Sequence, residues 1–239
     1  MIARQRLLSL NPKGFEAMNE LQSQSRAATV FGLVVALFAL PAVIVGFRLA
    51  LGEVTSTRVF VVKETAAIAV GVLVLWIVVK GEKLPLTSIG LGTRPWKSSI
   101  GWGLLGVVFC AGGLAVSLGL AKLLGWPFGA KSGFGFEPPL WAVGLAVLRA
   151  GTVEEICYRG FAIERLQSLT GNRALSIGLP LALFAAFHYR RGYAGILIAL
   201  VLGAILTAMY VRRGDLTANM VTHFLVDFIP NILLPVISR

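Results

Sequence analysis

Long apolar runs, broken by short stretches rich in glycine, proline and charge, set the rhythm of the chain. Ala27 to Phe47 is uncharged and long enough to cross a bilayer as a helix, with Pro41 placed to kink it. Further spans are predicted over 59–79, 98–121, 138–168, 174–189 and 192–211, and a seventh from Leu216 onward. Gly81, Pro85, Gly90, Gly92 and Pro95 mark a loop over 80–97. A second loop over 122–137 carries Trp126, Phe128, Phe134 and Phe136, a composition suited to the membrane interface. Pro138-Pro139 opens the fourth helix, and Gly171-Asn172 turns the chain into the fifth. The pattern predicts an all-α protein, a polytopic transmembrane bundle of about seven spans. It divides into a polar N-terminal segment (1–26), N-terminal transmembrane helices (27–137) and a C-terminal transmembrane region (138–239).

Composition agrees with the pattern. Hydrophobic residues make up 56% of the chain and charged residues 14%, where a soluble domain is about a quarter charged. The net charge of +11 is spread thinly between apolar runs. That distribution excludes a nucleic-acid-binding patch and makes the lipid bilayer the expected partner. Lys and Arg favour alternate loops, from Arg4 and Arg6 through Lys80 and Lys83 to Arg212 and Arg213. This bias predicts a cytoplasmic N-terminus, with a bacterial cytoplasmic (inner) membrane as the expected location. No cleavable signal is expected, and the first span would act as an uncleaved signal-anchor. Cys110 and Cys157 lie in predicted spans without metal-site spacing and read as small buried side chains.

The chemistry concentrates in 149–161, where Glu154, Glu155 and Arg159 interrupt an apolar run. Ionisable residues at membrane depth cost several kcal/mol, roughly 2.5–3.5 on insertion scales, and mark function by default. Glu155 and Arg159 stand at i,i+4, the spacing of a helical ion pair. Glu154 is turned about 100° away on an α-helix and reads as unpaired, free to act. Arg149, five residues before Glu154, could lower that glutamate's pKa or meet a substrate carboxylate, but reads most simply as an arginine that snorkels or bonds to backbone carbonyls. Lys63 and Glu64, near the start of the second span, are expected to snorkel or pair.

The two histidines fall on other helices. His188 lies as far beyond Gly171 as Glu154 lies before it, so the two share a membrane depth in an antiparallel pair. His223 and Asp227 are again at i,i+4 and point to one side. Phe184 is expected to pack one turn below His188. A buried carboxylate with a histidine suits water activation, and a second histidine could donate to an oxyanion. The same groups suit a divalent metal such as zinc. A small transporter with a Glu-His-Asp proton relay, or a non-catalytic scaffold or immunity factor, would also use buried charges.

The set Glu154-Glu155-x-x-x-Arg159, Phe184-x-x-x-His188 and His223-x-x-x-Asp227 resembles the three motifs of the CAAX-protease and bacteriocin-processing family. These are the type II CAAX prenyl endopeptidase-like, or Abi, intramembrane proteases, and the resemblance covers about 138–230. It implies an intramembrane endopeptidase acting on a membrane-presented peptide or lipidated protein, with 138–239 as the catalytic region. By resemblance, Glu154 and His188 activate water while His223 and Asp227 bind the oxyanion, with Glu155 in the catalytic set and Arg159 and Phe184 in support. A metal-dependent mechanism would hold zinc on Glu154, His188, His223 and Asp227. Position 227 is often asparagine in eukaryotic members, whereas Asp227 donates a hydrogen bond only when protonated.

Overall fold

The computed structural model describes residues 25–52, 54–127 and 137–237, which form seven helices and, among the described residues, no strand. The expected polar segment lies outside the described residues up to position 24, as do Phe128, Phe134 and Phe136 of the second loop. Helix α1 is Ser25–Leu51, α2 is Thr57–Gly81 and α3 is Trp96–Leu123. Helix α4 runs over 140–170, α5 is Arg173–Ala186, α6 is Gly192–Arg213 and α7 is Leu216–Ile237.

Five helices are long and apolar enough to cross a membrane: α1, α2, α3, α6 with its preceding turn, and α7. Helix α4 has the length but carries the charge cluster. Helix α5 is apolar but has 14 residues, about 21 Å at 1.5 Å per residue, short of a hydrocarbon core of about 30 Å. The chain is a multi-pass membrane protein built as an all-helical bundle.

Turn chemistry explains where the helices stop and start. Gly171 and Gly214 take left-handed conformations (φ 65° and 60°) that close α4 and α6, a geometry glycine adopts without a Cβ penalty. The next residues cap the following helices. Asn172 accepts from the Leu175 amide at 3.0 Å, and Asp215 from the Ala218 amide at 3.1 Å.

Two departures from regular α-helix matter. In α1, Val35–Ala39 forms a π-turn just ahead of Pro41. Proline has no N–H to offer the Leu37 carbonyl and its ring crowds that group; the carbonyl instead lies 3.5 Å from the Tyr158 hydroxyl of α4. The second departure is larger. Ala150–Phe161, the whole charged stretch of α4, is a π-helix, a form usually limited to single turns and frequent at functional sites. The α-helical angle expected between Glu154 and Glu155 therefore does not apply.

Small residues let the other helices close on this segment. Helix α2 meets it where Gly71 faces Val153, and α7 meets it where Gly151 faces the Phe224 backbone. Val70, Val74, Ile77, Val153, Ile156, Cys157 and Phe161 belong to the resulting core. Cys110 and Cys157 are buried free thiols. Near the end of α2, Arg165 grips Glu82 with contacts of 2.8–3.0 Å and reaches the Ser88 carbonyl. Thr29 of α1 donates to the same carboxylate at 2.7 Å. Three parts of the chain are thus tied to α4.

A Cβ on Gly151 would lie 2.8 Å from the Phe224 Cα and amide nitrogen, atoms that move only with the helix, whereas Gly144 has open space around it. Gly151→Ala is expected to destabilise the detergent-solubilised protein by about 1–3 kcal/mol, as overpacking does, and Gly144→Ala to leave it unchanged. Thermal unfolding of the two variants checks the contrast.

Candidate active site

The π-helical segment of α4 places its two glutamates in different surroundings. Glu155 is fully buried and all its contacts come from protein. Its Oε1 accepts from Arg159 Nη1 at 2.9 Å and lies 2.7 Å from His223 Nδ1, while Oε2 accepts from Asn219 Nδ2 at 3.1 Å. Arg159 also donates to the Gly203 carbonyl at 3.4 Å and stacks 4.2 Å from the Phe184 ring centroid. The i,i+4 pair of the sequence is present. Asn219, absent from the sequence reading, completes it, and its position one turn before His223 was the available signal.

Glu154 is not unpaired. Arg149 Nη1 donates to its Oε1, and Arg149 Nε donates to Glu64 Oε2 of α2 at 2.9 Å. Glu64 Oε1 lies 2.9 Å from Lys63 Nζ. The expectation of a free Glu154 is corrected, and of the two readings of Arg149 the structure favours the contact with Glu154 over snorkelling or backbone bonding. A guanidinium among apolar helices finds a carboxylate because no water competes for it. Of the two options for Glu64, snorkelling or pairing, it pairs; its link to the glutamates crosses helices and no spacing rule reaches it.

The second oxygen of Glu154 faces His223. Glu154 Oε2 and His223 Nε2 are 3.9 Å apart, and Asp227 Oδ2 lies 3.8 Å from the same nitrogen. The Asp227 side chain is more open than that of Glu154, 36% exposed against 13%. His188 follows the end of α5, its Nδ1 2.8 Å from the Phe184 carbonyl. Phe184 lies between the imidazoles, its ring centroid 4.9 Å from that of His188 and 6.3 Å from that of His223. The structure therefore gathers Glu154, Glu155, His188, His223 and Asp227 with Arg159 and Phe184. Phe184 is a packing residue shared by both histidines and Arg159.

Hydrogen bonding assigns the tautomers. A backbone carbonyl only accepts, so His188 carries its proton on Nδ1. Glu155, paired with Arg159, likewise accepts from His223 Nδ1–H. In both neutral rings Nε2 is then a lone pair. His223 can donate from Nε2, as oxyanion binding requires, only as the imidazolium.

The donors do not fit a metal. Among the described residues no group of three or more His, Cys, Asp and Glu is arranged to hold one. The Arg149 guanidinium occupies one oxygen of Glu154, and placing a second cation beside it would bring like charges together.

Residues 136–229 match the family model described as type II CAAX prenyl endopeptidase Rce1-like. No curated protein and no solved structure matches the chain. The match begins just before α4, ends within α7 and contains all three motifs, so this part of the chain is similar to the Rce1-like endopeptidases. Glu64 and Lys63 lie outside it.

Removing one partner of the buried pair leaves the other charged and unsatisfied. Arg159→Met is expected to cost about 3–5 kcal/mol, and Asn219→Leu about 1–3 kcal/mol. Denaturant unfolding in detergent measures both; a stable Arg159→Met protein would contradict the network described.

Proposed function

We propose that the chain is an intramembrane endopeptidase in which Glu154 and the histidines activate a water molecule against a membrane-presented or lipidated peptide. The observation that carries this reading is the gap between Glu154 Oε2 and His223 Nε2. At 3.9 Å it is too long for a direct hydrogen bond, and it is a separation that one water hydrogen-bonded to both atoms would span. The remaining polar atoms of the two side chains are already engaged, Glu154 Oε1 by Arg149 and His223 Nδ1 by Glu155. One acceptor oxygen and one ring nitrogen are left aimed at the same place.

In this mechanism the water gives a proton to Glu154 Oε2 as its oxygen attacks the scissile carbonyl carbon. The tetrahedral oxyanion is met by the His223 imidazolium, whose charge is supported by Glu155. Glu154 then returns the proton to the leaving amine as the C–N bond breaks. His188, with Nε2 as its free acceptor, supports the water from α5. Asp227 flanks His223 as a carboxylate and takes the donor role of an amide only when protonated. Glu155 holds His223 in one tautomer and orientation.

A site enclosed by apolar helices receives its substrate from the bilayer, which favours peptides already held there. The distribution of Lys and Arg supports an N-terminus on the cytoplasmic side of a bacterial inner membrane.

The test needs no guess about the substrate. Peptide termini across the membrane proteome of the native host are compared between wild type and Glu154→Gln at equal abundance. Termini present with wild type are expected to fall at least about 10³-fold, the scale of losing a catalytic base. Identical profiles in cells that need the protein would move the assignment to a scaffold, immunity or transport role.

A further inference from the structure

Helix α2 contributes two adjacent charges, Lys63 and Glu64, to an otherwise apolar span, and both are buried. Carrying them among apolar helices is costly, and their disposition is specific. Charges alternate in a row from α2 to the site: Lys63, Glu64, Arg149, Glu154. We infer that Arg149, held by Glu64, is the positioning residue that presents Glu154 Oε2 to His223. The inference rests on the proposed proteolysis and adds to it a residue from the N-terminal helices, outside the matched region.

The geometry of the guanidinium carries the argument. Its donors are fixed in one plane. Once Nε is bonded to Glu64, the direction of Nη1 is set, and Nη1 in turn takes Oε1 of Glu154. A carboxylate held by one oxygen turns the other to the opposite side, where His223 Nε2 stands. Glu155 has its own set of partners, so Arg149 acts on one glutamate only. Loss of the guanidinium would leave Glu154 free to rotate about its side-chain bonds while its membrane depth and helix stayed the same. That change slows chemistry and spares substrate binding.

The test uses the full chain in membranes of its host and, as probe, a synthetic peptide spanning the strongest Glu154-dependent terminus. Arg149→Gln is expected to lower kcat about 10²-fold, the cost of a displaced reacting group, with KM within about twofold of wild type. Arg149→Lys keeps a charge beside Oε1 without the fork and is expected to recover at least about tenfold of that loss. Glu64→Gln, nearly isosteric, keeps an acceptor for Arg149 Nε and is expected to lower kcat, measured per folded protein, about tenfold. It carries the test if Arg149→Gln fails to accumulate.

Wild-type kcat in Arg149→Gln or Glu64→Gln overturns the inference. So does a loss matched by reduced folded protein, with no recovery in Arg149→Lys, which marks a merely structural pair. If wild type yields no Glu154-dependent terminus at all, the proteolytic reading falls and takes the inference with it. Cleavage that depends on Glu154 but ignores Arg149 removes the inference alone.

Discussion

A charge enclosed by apolar helices must be paired, and this requirement orders the C-terminal half of the protein. Water is not at hand to solvate Glu155, so Arg159, Asn219 and the His223 imidazole do so, at 2.7–3.1 Å. Each partner comes with its helix. Asn219 and His223 fix α7 against α4. Arg159, through Phe184 and the Gly203 carbonyl, fixes α5 and α6. Satisfying one carboxylate therefore settles the relative placement of four helices. Glycines at the crossings, such as Gly151 against Phe224, allow the approach.

The same requirement separates the two adjacent glutamates. Glu155 is enclosed by donors and has no oxygen left for a reacting group. Glu154 is bound on one oxygen by a cation and faces His223 with the other. One carboxylate builds the site and the other is available to work in it. A π-helix, wider than an α-helix, carries both. His223 joins the halves, with one nitrogen on the structural carboxylate and the other opposite the working one.

Much of this was legible in the sequence. Uncharged runs bounded by glycine and proline marked the helices, and Gly171-Asn172 became a turn and cap because its chemistry is local. The Glu155–Arg159 pair followed from i,i+4 spacing. Contacts across helices were not legible. Arg149 meets Glu64 over 85 positions, and Asn219 meets Glu155 over 64. Both join residues on separate helices, which periodicity within one helix does not describe. The π-helix also escaped, since no proline lies within 150–161 and the i,i+4 spacing of Glu155 and Arg159 reads as an ordinary α-helix. The short α5 ends at Ala186, before the 189 expected, and leaves His188 beyond the helix with its ring on the Phe184 carbonyl.

The central claim is that Glu154 works as a carboxylate on water, in a site whose donors do not suit a metal. Its most direct test is cleavage by purified protein that has been stripped of metal with a chelator and exchanged into metal-free detergent. The substrate is a peptide spanning a terminus that wild type generates in its host. The account predicts an unchanged rate after stripping, no gain on adding zinc, and no cleavage by Glu154→Gln under any of these conditions. Activity lost on stripping and restored by zinc would contradict it, and would require Arg149 to release Glu154 before the reaction begins.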